Sequence, residues 1–128
     1  MTASHSLIGA WSLVFAHHIN DETGDKTNYL GDEPQGYLIF QAGRSFAFLR
    51  LPPNQGAPAG FLAYSGPCKV TPETFITSID MASRNDWVGT QQTRLYKLAG
   101  DELDVTTAPM RGPSGALMHY RLMWKRKD

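Results

Sequence analysis

The chain has 128 residues, of which 41% are hydrophobic and 19% charged, so its composition excludes a disordered chain and fits one globular domain over residues 1–128. Its 12 basic and 12 acidic side chains cancel, which predicts no nucleic-acid partner because no positive excess is available to neutralise phosphates. The one cysteine, Cys68, cannot form an internal disulfide, which fits a reducing compartment. The apolar stretch 7–16 is too short to span a bilayer and follows no basic residue, so we expect a cytoplasmic protein without a membrane partner.

Apolar segments with a period of two residues follow one another along the chain and predict β-strands. The first covers residues 7–19, and β-prone runs at 37–40 and 45–51 flank a predicted two-residue turn at 42–43. Further strands are predicted at residues 61–64, 65–70, 74–81, 91–98, 102–107 and 116–126. About eight short strands with turn signals roughly every 8–12 residues favour an all-β fold. We predict a single up-and-down antiparallel β-barrel, because closure removes the exposed strand edges.

Alternation within each predicted strand assigns one set of side chains to the barrel interior. In the hairpin, a two-residue loop places Ile39 opposite Phe46 and Tyr37 opposite Phe48. The predicted inward positions are, strand by strand, Trp11, Leu13, Phe15 and His17; Tyr37, Ile39, Phe46, Phe48 and Arg50; Phe75, Thr77, Ile79 and Met81; Arg94, Tyr96 and Leu98; Leu103, Val105 and Thr107; and Met118, Tyr120, Leu122 and Trp124.

Polar side chains recur at intervals in this otherwise apolar interior. They are His17, Arg50, Thr77 and Arg94. An apolar cavity with a few placed polar groups is typical of a small-molecule site. A buried arginine needs a partner, so Arg94 is expected either to contact a ligand or to form a structural ion pair.

These positions define the candidate site residues. In an enzyme, Arg94 or Tyr96 would polarise a carbonyl or stabilise an oxyanion, and His17 would move a proton; the alternative for His17 is a structural histidine. The Pro-rich segment 52–60 is interpreted as a rim loop or lid. Two of the cavity residues, Tyr64 and Trp87, follow irregular loops and are expected at the barrel rim. The side chains predicted to line the ligand cavity are Phe15, Tyr37, Phe48, Arg50, Tyr64, Thr77, Met81, Trp87 and Tyr120.

Motifs for metal, nucleotide or nucleophile chemistry are missing from the sequence. His17 and His18 are adjacent on a predicted strand, so their rings point to opposite faces and cannot hold one metal ion together. No Gly-x-Ser-x-Gly elbow or glycine-rich phosphate loop occurs, and Cys68 has no histidine near it in sequence. We therefore expect no metal and no cofactor.

Several short motifs resemble the lipocalin-like domain family of small bacterial and fungal proteins. The matching pieces lie in the family's order at residues 7–11, 36–40, 63–66, 86–96, 100–103 and 124–126. The resemblance implies a lipocalin-type barrel in which Trp11 closes one end, with Arg126 packed over it. The chain departs from the family pattern in two places. Thr77, Ser78 and Asp80 stand where the family often has a His pair and a Glu, and the Pro-rich segment replaces a helix.

Two classes of function remain open from the sequence. One is a cofactor-independent isomerase or cyclase, or a dehydratase or lyase, acting on a hydrophobic intermediate of secondary metabolism. The other is a non-catalytic binding or carrier protein for an apolar small molecule. Barrels of this type serve for both, so the distinction rests on the site and not on the fold. A homodimer is compatible with the sequence, which does not define the oligomeric state.

Overall fold

Short strands follow one another through residues 7–53 and 60–127, the part of the chain that the computed structural model describes. The strands within these ranges are β1 (Gly9–Asn20), β2 (Lys26–Thr27), β3 (Gly36–Gln41), β4 (Arg44–Leu51), β5 (Gly60–Val70), β6 (Thr74–Ser78), β7 (Met81–Ala82), β8 (Gln91–Ala99), β9 (Glu102–Thr106), β10 (Met110–Arg111) and β11 (Leu117–Arg126). A single 3-10 turn, Asn85–Trp87, lies between β7 and β8. Residues 54–59, within the predicted rim loop or lid, lie outside the described residues.

Eight of these strands close into an antiparallel barrel. They run in the order β1, β3, β4, β5, β6, β8, β9 and β11, and β11 pairs back with β1. The predicted all-β barrel of about eight strands is confirmed. The predicted hairpin turn is also confirmed, since Gln41 pairs with Arg44 and Gly43 takes the positive φ of 79° that such a turn requires.

One end of the barrel, called the floor below, is closed by Trp11. Its side chain is fully buried, and its indole Nε1 donates a hydrogen bond to the Leu7 carbonyl at 3.0 Å. The Arg126 guanidinium lies 4.2 Å from the ring centroid and donates to the Ile8 carbonyl. The predicted packing of Arg126 over Trp11 is therefore confirmed, a cation–π contact worth about 0.5–2 kcal/mol.

The core fills the barrel above this floor. Inward positions predicted for β6, β8 and β9 are confirmed as far as Ile79, because burial alternates along these strands. Those predicted for β11 are confirmed by its pairing with β9, which sets Leu122 and Trp124 opposite buried Val105 and Leu103. The buried side chains of the core cluster are Leu7, Trp11, Ala16, Leu30, Leu38, Phe40, Ala47, Leu49, Phe75, Tyr96, Leu103, Val105 and Trp124.

The prediction that Phe15 and His17 point inward is wrong. The pairing of β1 with β11 shifts between Leu13 and Phe15, so Val14 is an extra, unpaired residue. Such a bulge reverses the alternation of every later residue on the strand. His17 consequently pairs with Arg121 on the outer face, where its ring stacks on Phe15 at 4.3 Å between centroids. Burial lowers the pKa of His17, and the positive charges of Lys26 and Arg121 add to the effect.

The face predicted for the β3–β4 hairpin is also wrong, although its register is right. Tyr37 does pair with Phe48, and both side chains are exposed. The intervening residues Leu38, Phe40, Ser45, Ala47 and Leu49 are buried instead. The reason lies in the neighbouring strand, because β1 pairs Trp11 with Leu38 and directly opposite residues share a face.

Two further predicted inward residues lie outside. Arg50 is on the same outer face as Phe48 and donates a hydrogen bond to the Gln35 side chain at 3.1 Å. Met81 is exposed because the chain leaves the regular ladder at Ile79 and Asp80 before pairing again with Ser65. Ile79 is therefore buried and Met81, two residues later, is not.

No helix within the described residues has the length and apolar character needed to cross a membrane.

Candidate functional site

Polar and aromatic side chains meet inside the end of the barrel opposite Trp11. The antiparallel order places the end of β1, the start of β5, the start of β8 and the start of β11 at this upper end. His18, Tyr64, Arg94 and Tyr120 reach inward from those strands, and Tyr29 joins them from the turn after β2. We call these five residues the upper cluster.

Aromatic contacts hold the upper cluster together and connect it to the rim. The ring of Tyr120 lies 4.9 Å from that of Tyr29 and 5.4 Å from that of His18, between centroids. Tyr64 meets Trp87 edge to face at 5.4 Å. The Arg84 guanidinium stacks over the outer side of Trp87 at 5.1 Å, and Arg84 is itself paired with Asp86. Trp87 thus lies at the rim above Tyr64, as the sequence predicts.

Arg94 is the charged member of the upper cluster. It lies on the inward side of β8, and its guanidinium donates to the Gln92 side chain and to the Thr93 carbonyl. Among residues 7–53 and 60–127, none of the salt bridges involves Arg94. Within this part of the chain its positive charge is therefore met by neutral oxygens alone.

Two phenols beside Arg94 are kept in the neutral form. Burial raises the pKa of Tyr64, while the nearby Arg94 guanidinium opposes that rise. Burial also raises the pKa of Tyr29, and the Tyr120 phenol adds to the effect. A protonated phenol is a hydrogen-bond donor, so this part of the interior presents a cation and neutral donors to the same space.

Two other predicted interior residues, Tyr96 and Thr77, form hydrogen bonds within the protein. Tyr96 is buried, and its hydroxyl donates to the Thr71 carbonyl at 2.6 Å, next to the turn that connects β5 and β6 near the floor. Thr77 is buried, and its hydroxyl bonds the Ser45 hydroxyl at 2.8 Å. Their inward placement is confirmed, but both hydroxyls already have partners. Burial raises the pKa of the adjacent Cys68 thiol, which keeps it protonated.

Two members of the upper cluster are not predicted from the sequence. His18 replaces His17 on the inner face because of the bulge at Val14. Tyr29 lies in a polar segment without strand character. The sequence signal for an interior position there is one aromatic residue among turn residues. Arg94, Trp87 and Tyr120 are placed as the sequence predicts, whereas Tyr64, expected at the rim, lies on the inner face opposite buried Ala47. The predicted residues that lie away from the upper cluster are Phe15, His17, Tyr37, Phe48, Arg50 and Met81.

The closed up-and-down barrel, with a cation and phenols inside its upper end, is of the lipocalin type. The sequence profile of the lipocalin-like domain family matches residues 53–127, which is more than half of the chain. The chain therefore belongs to the lipocalin-like domain family, and such a barrel suggests a small hydrophobic ligand. No curated protein and no solved structure gives a significant match.

Proposed function

We propose that the protein binds a small apolar molecule with one oxygen-bearing end in the upper part of its barrel. The observation that carries this proposal is Arg94, a guanidinium on the inner face for which no carboxylate partner occurs among the described residues. A ligand oxyanion or carbonyl adds an acceptor to the neutral ones that Arg94 already has, and the rings of Tyr29, Tyr64 and Tyr120 supply apolar walls for the rest of the molecule.

The test uses a fluorescent fatty acid, 11-(dansylamino)undecanoic acid, and its methyl ester as probes. Arg94→Ala removes the cation, so we expect affinity for the acid to fall about 10–100-fold, the range for a charge-assisted hydrogen bond of about 1.5–3 kcal/mol. Affinity for the uncharged ester is expected to change much less. Dansyl emission during titration measures both affinities.

Arg50→Ala is the matched control, because Arg50 carries the same charge on the outer face. It should bind both probes like the unmodified protein. If Arg94→Ala and Arg50→Ala weaken binding of the acid equally, the effect is a general one of net charge and Arg94 does not hold the ligand. Failure of the unmodified protein to bind either probe would contradict the proposal for this class of ligand.

Catalysis is the second candidate, favoured by the neutral phenol of Tyr64 beside Arg94. A cation and a phenol together can stabilise the oxygen of an enolate, as a cofactor-independent isomerase, cyclase or lyase requires. Of the three histidines in the described residues, His18 lies on the inner face. We therefore propose that His18, in place of His17, accepts the proton. A hydrophobic biosynthetic intermediate with an enolisable carbonyl fits such a site.

Deuterium exchange separates the catalyst from the carrier. In D₂O, a base removes a proton from the carbon next to the carbonyl of 2-tetralone, and deuterium replaces it from solvent. We expect the protein to exchange deuterium into 2-tetralone faster than buffer alone does, as measured by mass spectrometry. This acceleration should be lost in Tyr64→Phe and in Arg94→Ala, and it should be kept in Arg50→Ala. Binding of 2-tetralone without accelerated exchange would instead support the non-catalytic carrier.

A further inference from the structure

The outer surface of β3, β4 and β5 carries a continuous area of apolar side chains. The strand register places Tyr37, Phe48 and Ala63 in one row across three strands. The next row contains Ile39, Phe46, Ser65 and Met81, and Phe61 extends the surface above the first row. We call this surface the aromatic face, defined by Tyr37, Ile39, Phe46, Phe48, Phe61, Ala63 and Met81.

The aromatic face is open to solvent. Phe61 and Met81 are 71% and 72% exposed, and Tyr37 and Phe48 are 47% and 43% exposed. At about 200 Å² for a whole large side chain, these four expose on the order of 450 Å². That is already near the size of the largest apolar patch on a typical monomer, roughly 300–600 Å². A groove of about 920 Å³ lies between Phe46, Phe48 and Met81. A side chain of a partner can insert into it.

The opposite side of the barrel has a different character. There, one row across β8, β9 and β11 contains Lys97, Asp104 and Met123. Arg121 pairs with Asp104 on this side, with 2.8 Å between the charged atoms. Single apolar side chains such as Leu95 are exposed elsewhere, but the two most exposed large ones, Phe61 and Met81, both lie on the aromatic face.

We infer that the aromatic face is the interface of a two-fold symmetric homodimer. Equal numbers of basic and acidic residues give the chain no net charge, so two copies do not repel each other at long range. Arg44 and Asp80 border the face as an ion pair within one chain, so two copies of this border meet without net charge, and a two-fold axis can also set each arginine beside the aspartate of the other copy. The border thus complements itself.

The same charges disfavour an anionic membrane as the occupant of this face. A lipid surface is held by unpaired basic side chains around an apolar patch. Here Arg44 is already neutralised by Asp80 at 2.7 Å, and Arg50, opposite Phe61, is a single basic side chain that donates to neutral Gln35. The exposed area fits a protein partner: four side chains supply about half of the roughly 800 Å² per subunit that a stable interface buries, before the rest of the face and its border are counted.

The oligomeric state in solution tests this inference. Sedimentation equilibrium of the full chain should give twice the 14.2 kDa mass of one chain. Phe61→Glu and Met81→Glu each bury a charge in the proposed interface, so each should raise the dimer dissociation constant at least about thirtyfold, as expected for a central interface residue. Leu95→Glu is the matched control, because Leu95 is apolar and 41% exposed on the opposite side; it should remain dimeric.

Other outcomes contradict the inference. A monomeric wild-type chain at 100 µM or above overturns it, as does a Leu95→Glu variant that dissociates as readily as Phe61→Glu. Co-sedimentation with phosphatidylcholine vesicles, lost in Phe61→Glu and kept in Leu95→Glu, would assign the face to a bilayer instead. Circular dichroism of each variant checks that it is folded. Phe61 and Met81 are highly exposed, so replacing either one should leave the core of the barrel intact.

Discussion

At the scale of single residues, Gly66 has the least room for a side chain among the glycines of the described residues. A Cβ built on Gly66 would overlap the Ser78 carbonyl oxygen, which belongs to the backbone of a neighbouring strand and cannot rotate away. Gly66→Ala should therefore lower the free energy of unfolding by about 3 kcal/mol or more, at the upper end of overpacking costs. Urea unfolding followed by circular dichroism measures the difference.

Gly60, on the same strand, is the control for this substitution. A Cβ on Gly60 meets no atom within 4 Å, so Gly60→Ala should change the free energy of unfolding by no more than about 0.5 kcal/mol. Similar losses in the two variants would mean that alanine is unfavourable on β5 in general, and that the close approach of Ser78 is not the cause.

At the scale of strands, local patterns predicted pairing better than they predicted orientation. The β3–β4 register follows from its short turn, and the turn residues are visible in the sequence. The face of that hairpin depends instead on the pairing of Trp11 with Leu38, a contact between distant segments. Because alternation has a period of two, any single displaced residue reverses the face.

The same distinction explains which site residues were predicted. Arg94 and Tyr120 lie on β8 and β11, whose pairing with β9 has no register shift, so the period of two continues along both strands. His17 lies beyond the bulge at Val14, an exposed valine that resembles any outward strand residue. Nothing in the composition of this stretch marks it, so His18 could not have been chosen in place of His17.

Thiol labelling tests the reversal in β1 directly. In a Cys68→Ala background, His17→Cys places a thiol on the outer face and His18→Cys places one inside the barrel, by their pairing with Arg121 and Tyr120. We expect a polyethylene-glycol maleimide to react at least about tenfold faster with the first variant, because access of the reagent limits the second. Equal rates in the native state, or faster labelling of His18→Cys, would contradict the bulge; both should react equally in urea.

At the scale of the whole molecule, the buried phenols make the stability of the barrel depend on alkaline pH. Burial raises the pKa values of Tyr29, Tyr64 and Tyr96 in the folded chain, whereas an unfolded tyrosine ionises near pH 10. Below that pH both states hold these protons, and the stabilisation is fully present. Above it the unfolded chain releases protons that the folded chain retains, so the free energy of unfolding must fall as pH rises.

The expected slope is up to about 1.4 kcal/mol per pH unit for each retained proton. Urea unfolding between pH 8 and 12 should show stability falling from about pH 10. Tyr29→Phe or Tyr64→Phe should reduce the slope by one proton each, and phenolate absorbance at 295 nm should show that these tyrosines ionise only as the barrel unfolds. If both variants kept the full slope, or if every phenol ionised near pH 10 in the folded state, the phenols of the upper cluster would be in contact with water, and the burial inferred for them would be wrong.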